Sequence, residues 1–441
     1  MDQPWPQDLK QWLEVRRPNI EVDEENVGTI SLIETIQCAR SDNIRKMCQS
    51  EGCTISSLQT AQNPHDILAK GSMALKDVIT SNCAMEWPHV RLADSTKHTS
   101  VVATSVSADA KLLVAAYTDR CVRVWRISDG QLLQRWYGHG DAIQCAAVAP
   151  CAPLQVASGS ADAAVIIWDL SSCKAIAQLD GHITAIVSLV YSPSGQTLAS
   201  GSLDGTVKLW RVRGGHKLVH TMGGGSALAG GGAQLAFAPD GARVVSTMGD
   251  VGRVWDAHSG TLLASLRGHT APIRCMALSS DGGRVVTGSQ DGTCRVWDTA
   301  DGRELAVTDR ASPVTSMALS PDDEQIVASS GGAVAAYAMN DGRVLRRFVG
   351  PVPAPGVPPP VDSRSQCVAC CPYSAFVASG AADGSVRLWN KESGALVGEY
   401  RGHAGAVRSV LFSGDGRDLY SSSDDGSLRI WSVTDVLRLL P

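Results

Sequence analysis

Apolar and β-branched residues along most of this chain fall in short runs of strand length, divided by turn sequences rather than spread in helical stripes. ITAIVSLV at 183–190, QTLASGS at 196–202 and TVKLW at 206–210 are three such runs. SPSG and LDG separate them, each carrying the glycine that a positive φ demands. A fourth run, AIAQLDGH at 175–182, leads in from the unit before. Four strands within about 42 residues predict one small antiparallel sheet.

The unit recurs. GSLDGTVKLW at 201–210 has near-copies in GSQDGTCRVW ending at Trp297, GAADGSVRLW ending at Trp389 and SSDDGSLRIW ending at Trp431. Aligned on the closing aromatic, eight units end at Trp125, Trp168, Trp210, Trp255, Trp297, Tyr337, Trp389 and Trp431, spaced by 43, 42, 45, 42, 40, 52 and 42 residues. Seven of the eleven tryptophans share that register, which chance does not arrange. A single four-stranded sheet cannot bury both faces; a ring of them packed about an axis can, leaving only short edges. The expected fold is therefore all-β: a β-propeller of eight four-stranded blades over residues 89–441, with seven blades as the alternative. A short, mostly helical, acidic segment at 1–88 precedes it. Two stretches compete for the outer strand of the last blade. Val90–Ala93 would close the ring by pairing the two ends of the domain, and Leu437–Leu440 stands where that blade's own strand would fall. The sequence pattern leaves both open.

Gly-His at 138–139, 181–182, 268–269 and 402–403, with Trp-Asp at 168–169, 255–256 and 297–298, resembles the WD-repeat β-propellers. The resemblance covers roughly 89–441. It implies four structural tetrads: His139, Ser158, Asp162 and Trp168; His182, Ser200, Asp204 and Trp210; His269, Thr287, Asp291 and Trp297; His403, Ser421, Asp425 and Trp431. Taken alone, each reads as a Ser-His-Asp triad. A catalytic triad is needed once, however, and four copies around a ring look like bracing. Three units depart from the set. The first has Ala115 for the hydroxyl and no Gly-His, the fourth has Gly249 where the carboxylate should fall, and the sixth has Gly331 there. These three are expected to be the softest blades.

Composition narrows the function classes. The net charge is −5, and residues 1–88 hold 8 Lys/Arg against 13 Asp/Glu, which leaves the repeats formally neutral. No domain-wide basic field exists to attract nucleic acid. Thirteen cysteines are too sparse for a disulfide scaffold, and there is neither a secretory leader nor a run of about 18 apolar residues. An intracellular protein is expected, in cytoplasm or nucleus, with no membrane span. Cys367, Cys370 and Cys371 make half a zinc site without the other half, so small buried hydrophobes are expected and no metal. The Gly-rich insertion 223–232 lacks the Lys-Ser/Thr of a phosphate loop and reads as a flexible connection. The Pro-rich insertion 350–361 reads as a stiff loop, because its one Pro-x-x-Pro, Pro355 to Pro358, has no basic neighbour. In the N-terminal segment Leu9, Trp12, Leu13 and Arg16 share a helical face, and two to four short helices are expected there.

The resemblance also points to an entrance face lined by loops. Its contact positions lie three and five residues after the Gly-His histidine and just before the tetrad carboxylate. They fall on Ala142, Gln144 and Ala161; Ala185, Val187 and Leu203; Pro272, Arg274 and Gln290; and Ala406, Arg408 and Asp424. By register, the seventh unit adds Arg364, Gln366 and Ala382, and the first adds Thr118. Arginines at a concave mouth suit a carboxylate or phosphate; the alternative is that they pair with Asp424 or stay in water. The expected function is a non-catalytic interaction scaffold that docks partner peptides or domains, with acidic or phosphorylated segments favoured. A substrate-receptor subunit of a ubiquitin ligase or other multiprotein complex is the alternative, although the Trp-Asp-x-Arg pattern of some such receptors is absent. A propeller enzyme comes third, since it would need one unrepeated titratable cluster. No cofactor or small-molecule substrate is expected.

Overall fold

A computed structural model describes residues 89–92, 99–151, 155–223, 234–310, 312–348 and 365–433. The helices expected within 1–88, nearly all of the Gly-rich insertion, the Pro-rich insertion and Leu437–Leu440 lie outside these residues. The rest forms eight four-stranded antiparallel sheets, numbered here as blades 1 to 8 in the order of their closing aromatics. In blades 1 to 7 the four strands follow one another as a meander. The first strands abut one another around the ring, from Val101–Val106 of blade 1 through Ile143–Val148 and Ile186–Tyr191 to Val407–Phe412 of blade 8, which returns to blade 1.

Blade 8 takes its outer strand from the other end of the domain. His89–Leu92 pairs antiparallel with Leu428–Ser432, His89 opposite Trp431 and Leu92 opposite Leu428. The turn chemistry supplies a reason. In every other blade the fifth residue after the closing aromatic has positive φ: Gly130, Cys173, Gly215, Gly260, Gly302, Gly342 and Gly394. After Trp431 that position is Val436, a β-branched residue for which positive φ is strongly disfavoured. The local hairpin is therefore penalised, and the distant strand takes the edge.

The core lies between blades rather than within them. Cys145, Ala157 and Ile167 of blade 2 pack with Ile186, Leu198 and Trp210 of blade 3. The closing seam is built the same way, with Leu92, Tyr420, Leu428 and Ile430 of blade 8 against Val101, Leu113 and Trp125 of blade 1. The Ser/Thr-Gly pairs of the second strands allow this approach. A Cβ on Gly159 would stand 2.6 Å from the Ile186 side chain of the next blade, and one on Gly380 would stand 2.4 Å from Val407.

Two of the turns before the third strands lack the usual glycine. Ala163 has φ of +67° and Arg120 of blade 1 has +65°, where the matching residues of other blades are Gly205, Gly292, Gly384 and Gly426. Ala163→Gly should stabilise the fold by about 0.5–1 kcal/mol, the relief of strain exceeding the added chain entropy. A rise in the urea midpoint at unchanged slope would show this.

Candidate functional site

All four expected histidine sets are hydrogen-bonded. His139 Nδ1 lies 3.0 Å from Asp162 and its Nε2 2.8 Å from Ser158, whose oxygen accepts from Trp168 Nε1 at 2.8 Å. His182 repeats this with Asp204 at 2.9 Å and Ser200 at 2.8 Å, and Trp210 donates to Ser200 at 2.8 Å. In blade 5 all three distances, His269 to Asp291, His269 to Thr287 and Trp297 to Thr287, are 2.8 Å. His403 lies 3.3 Å from Asp425 and 2.7 Å from Ser421, which accepts from Trp431 at 2.8 Å. A carboxylate only accepts, so Nδ1 carries the proton and Nε2 accepts from the hydroxyl.

The protonation states follow from burial and bonding. Burial pushes His182 and His269 below the usual histidine range, against the pull of Asp204 and Asp291. Burial alone would raise the carboxyls of Asp204 and Asp291. The threonine hydroxyl two residues on, the histidine and two backbone N–H groups outweigh it, and both settle at about 2. In blades 3 and 5 the set is thus a neutral imidazole beside an anion that already accepts four hydrogen bonds. Each hydroxyl is buried and holds the indole N–H as well as the imidazole, so no substrate carbonyl can approach it. Bracing fits this geometry; nucleophilic attack does not.

Two of the blades without a Gly-His, blades 1 and 7, use a different device, which the sequence reading missed. In blade 1 the fully buried Arg123 reaches Asp119 at 2.5 Å and lies 3.9 Å over the Tyr117 ring. In blade 7 Arg387 holds Asp383 at 3.0 Å and Glu399 at 3.1 Å. Each arginine stands four residues after its carboxylate on the third strand, and that spacing is the signal the sequence offered. Of the departing blades, blade 4 keeps the Trp255 to Ser246 bond at 2.8 Å. In blade 1 Trp125 Nε1 is buried without an acceptor, as Ala115 dictates. In blade 7 Cys367 and Cys370 are thiols that burial pushes up to about 12.

The contact positions share a backbone feature. In seven blades the innermost strand has a bulge at its start that leaves one residue unpaired: Val102, Gln144, Val187, Arg274, Thr315, Gln366 or Arg408. A bulge re-aims the side chain of its extra residue. Gln144, Arg274 and Arg408 are exposed, and Val187 and Gln366 half-buried. Thr118 is exposed and accepts from the Ser100 N–H at 3.1 Å. The arginines are not equivalent. Arg408 is clamped by Asp424 through two bonds of 2.7 and 2.6 Å, which raise its pKa further. That is the pairing alternative, so Arg408 is not a free cation at the mouth. Arg274 donates to the Gln290 side-chain carbonyl, from Nε at 2.8 Å and from Nη2. Arg364 lies outside the described residues.

The repeat geometry sets the context for comparison with known proteins. The WD domain, G-beta repeat model matches six segments, 91–126, 130–169, 173–211, 260–298, 363–390 and 394–432, about half of the chain. The chain belongs to the WD-repeat family. The two blades of this WD-repeat protein that escape the match are those closed by Trp255 and Tyr337, both without a tetrad. It is 27% identical over 67% of its length to nuclear distribution protein PAC1 of Arthroderma benhamiae and spans 60% of that relative. It is 27% identical over 74% of its length to the human angio-associated migratory cell protein, spanning 77% of it. It is 32% identical over half its length to the U3 small nucleolar RNA-associated protein 15 homolog of Xenopus laevis, spanning 42% of it. Among solved structures, the computationally designed protein Ika8 matches at 28% identity with a TM-score of 0.65, covering 77% of this chain and 98% of Ika8. Among the described residues, no helix is long and apolar enough to cross a membrane.

Proposed function

We propose that this WD-repeat protein is a non-catalytic docking scaffold whose working surface is the entrance face around the inner strands. The supporting observation is a division of labour among its polar groups. The described histidine–carboxylate sets are consumed in bracing, whereas the bulges turn a varied set of side chains toward the mouth. The described cysteines are free thiols, in keeping with an intracellular location. A preference for acidic or phosphorylated segments is the finer part of this reading. It draws on Arg274, because Arg408 is committed to Asp424.

Negative charge placed at two bulges tests the surface. Gln144→Glu with Arg274→Glu should cut recovery of co-purifying partners at least about tenfold while leaving Tm unchanged, since both residues are exposed. Equal recovery from both proteins would count against the entrance face. Loss of every partner from a chain beginning at residue 89 would instead move the function to the preceding segment.

A further inference from the structure

The entrance face is unevenly furnished. On blade 3 the position after the tetrad histidine is Ile183, 83% exposed, where the other tetrad blades have Gly140, Thr270 and Ala404. The position before its carboxylate is Leu203, 45% exposed, where blades 5 and 8 have Gln290 and Asp424. The two turns adjoin: the Ile183 N–H donates to Asp204 at 3.1 Å, and the Leu203 N–H donates to the Ala185 carbonyl at 3.0 Å. Val187 occupies the bulge of the same blade. Three apolar residues thus stand on adjoining segments, and at the Leu203 and Val187 positions other blades carry glutamine, arginine or aspartate. None of them braces the blade, and large aliphatic side chains left in water mark a contact surface more often than a structural need.

Carboxylates outnumber cations around this patch. Asp141 and Asp180 are exposed in the turns entering blades 2 and 3. Asp162 and Asp204 add two more carboxylates in the adjoining turns, each held by a histidine Nδ1 and by backbone or hydroxyl donors. Two cations stand close by against these four carboxylates: Lys208, buried with its ammonium on Thr221 at 3.0 Å, and Arg120, on the Gly140 carbonyl at 3.2 Å. A further exposed cation of the face, Arg274, sits on blade 5. Apolar surface rimmed by carboxylates complements a partner with the opposite rim.

We propose that the blade 2–3 sector docks a partner segment in which one large aliphatic or aromatic side chain covers Ile183, Leu203 and Val187, flanked by lysine or arginine facing Asp141 and Asp180. This rests on the docking role proposed above and specifies its partner chemistry. The anchor supplies affinity by burial, and the basic flanks supply orientation and a faster encounter.

A random peptide display library selected on the immobilised full-length chain tests it. Enriched peptides should combine a large apolar residue with adjacent Lys or Arg. Their affinity should fall at least about tenfold for the double variant Ile183→Ser and Leu203→Ser, both surface substitutions that leave Tm unchanged. The double variant Asp141→Asn and Asp180→Asn should keep the apolar requirement and flatten the salt dependence. Enriched peptides that are acidic, and are lost on Arg274→Glu instead, would overturn this sector while leaving the docking role intact. Enriched peptides indifferent to every entrance-face substitution, or no enrichment at all, would overturn both.

Discussion

A chain beginning at residue 93 should lose the closed ring, whereas one beginning at residue 89 should keep it. Without His89–Leu92 the edge of Leu428–Ser432 is unpaired, and the seam between blades 8 and 1 loses Leu92, which is fully buried among Val101, Leu113, Tyr117 and Tyr420. Truncating one buried leucine to alanine costs about 2–5 kcal/mol. Loss of the whole strand removes its ladder as well and leaves an edge open to other chains. The shorter chain should therefore melt far below the longer one, with blade 8 amides exchanging fastest, and should tend to associate. Leu92→Asp in the full chain should reproduce part of the effect. Equal melting of the two truncations would mean that another stretch closes blade 8, and Leu437–Leu440 would be the candidate.

The second large effect concerns the tetrads. Asp291 in blade 5 accepts from His269 at 2.8 Å, the Thr270 N–H at 3.1 Å, the Thr293 N–H at 2.9 Å and the Thr293 hydroxyl at 2.7 Å, nearly all of it out of water. Asp291→Ala strands those donors together and should cost about 3–5 kcal/mol, the range for breaking a buried charged network. Acid should act on the same groups. Asp204 and Asp291 sit at about 2 in the folded chain, against about 3.9 when unfolded. Their contribution, about 2 kcal/mol each, is complete above about pH 4 and fades as pH falls toward 2. His182 and His269 are pushed down by burial, so the unfolded chain takes up protons first as pH drops below about 6.5, and stability falls there too. Urea midpoints from pH 7.5 to 3 should descend throughout, and the lowest part of the descent should be shallower in Asp291→Ala. A flat profile would contradict the assigned protonation states.

Much of this was legible because the repeat writes its own alignment. A tryptophan every 42 or so residues, a repeated ten-residue stretch with a glycine turn and recurring Gly-His pairs mark eight units and the tetrad members by comparison within the chain. The clamps at Asp119 and Asp383 were equally present, as an arginine four residues downstream, but such an arginine also follows Asp291 and Asp425, where it does other work. Residue type at that position therefore does not reveal the partner. The exposure of Ile183 escaped notice because the position after the histidine was not among those carried over from the family.

The sequence by itself determined the eight-fold repetition, the all-β class and which polar residues belong to each brace, since those depend on local periodicity and turn chemistry. Only the tertiary structure decided which strand closes the ring, that Arg408 is spent on Asp424 and that blades 2 and 3 present an apolar, acid-rimmed sector. These outcomes turn on residues from separate strands or opposite ends of the domain meeting in space. Ring closure sets those distances.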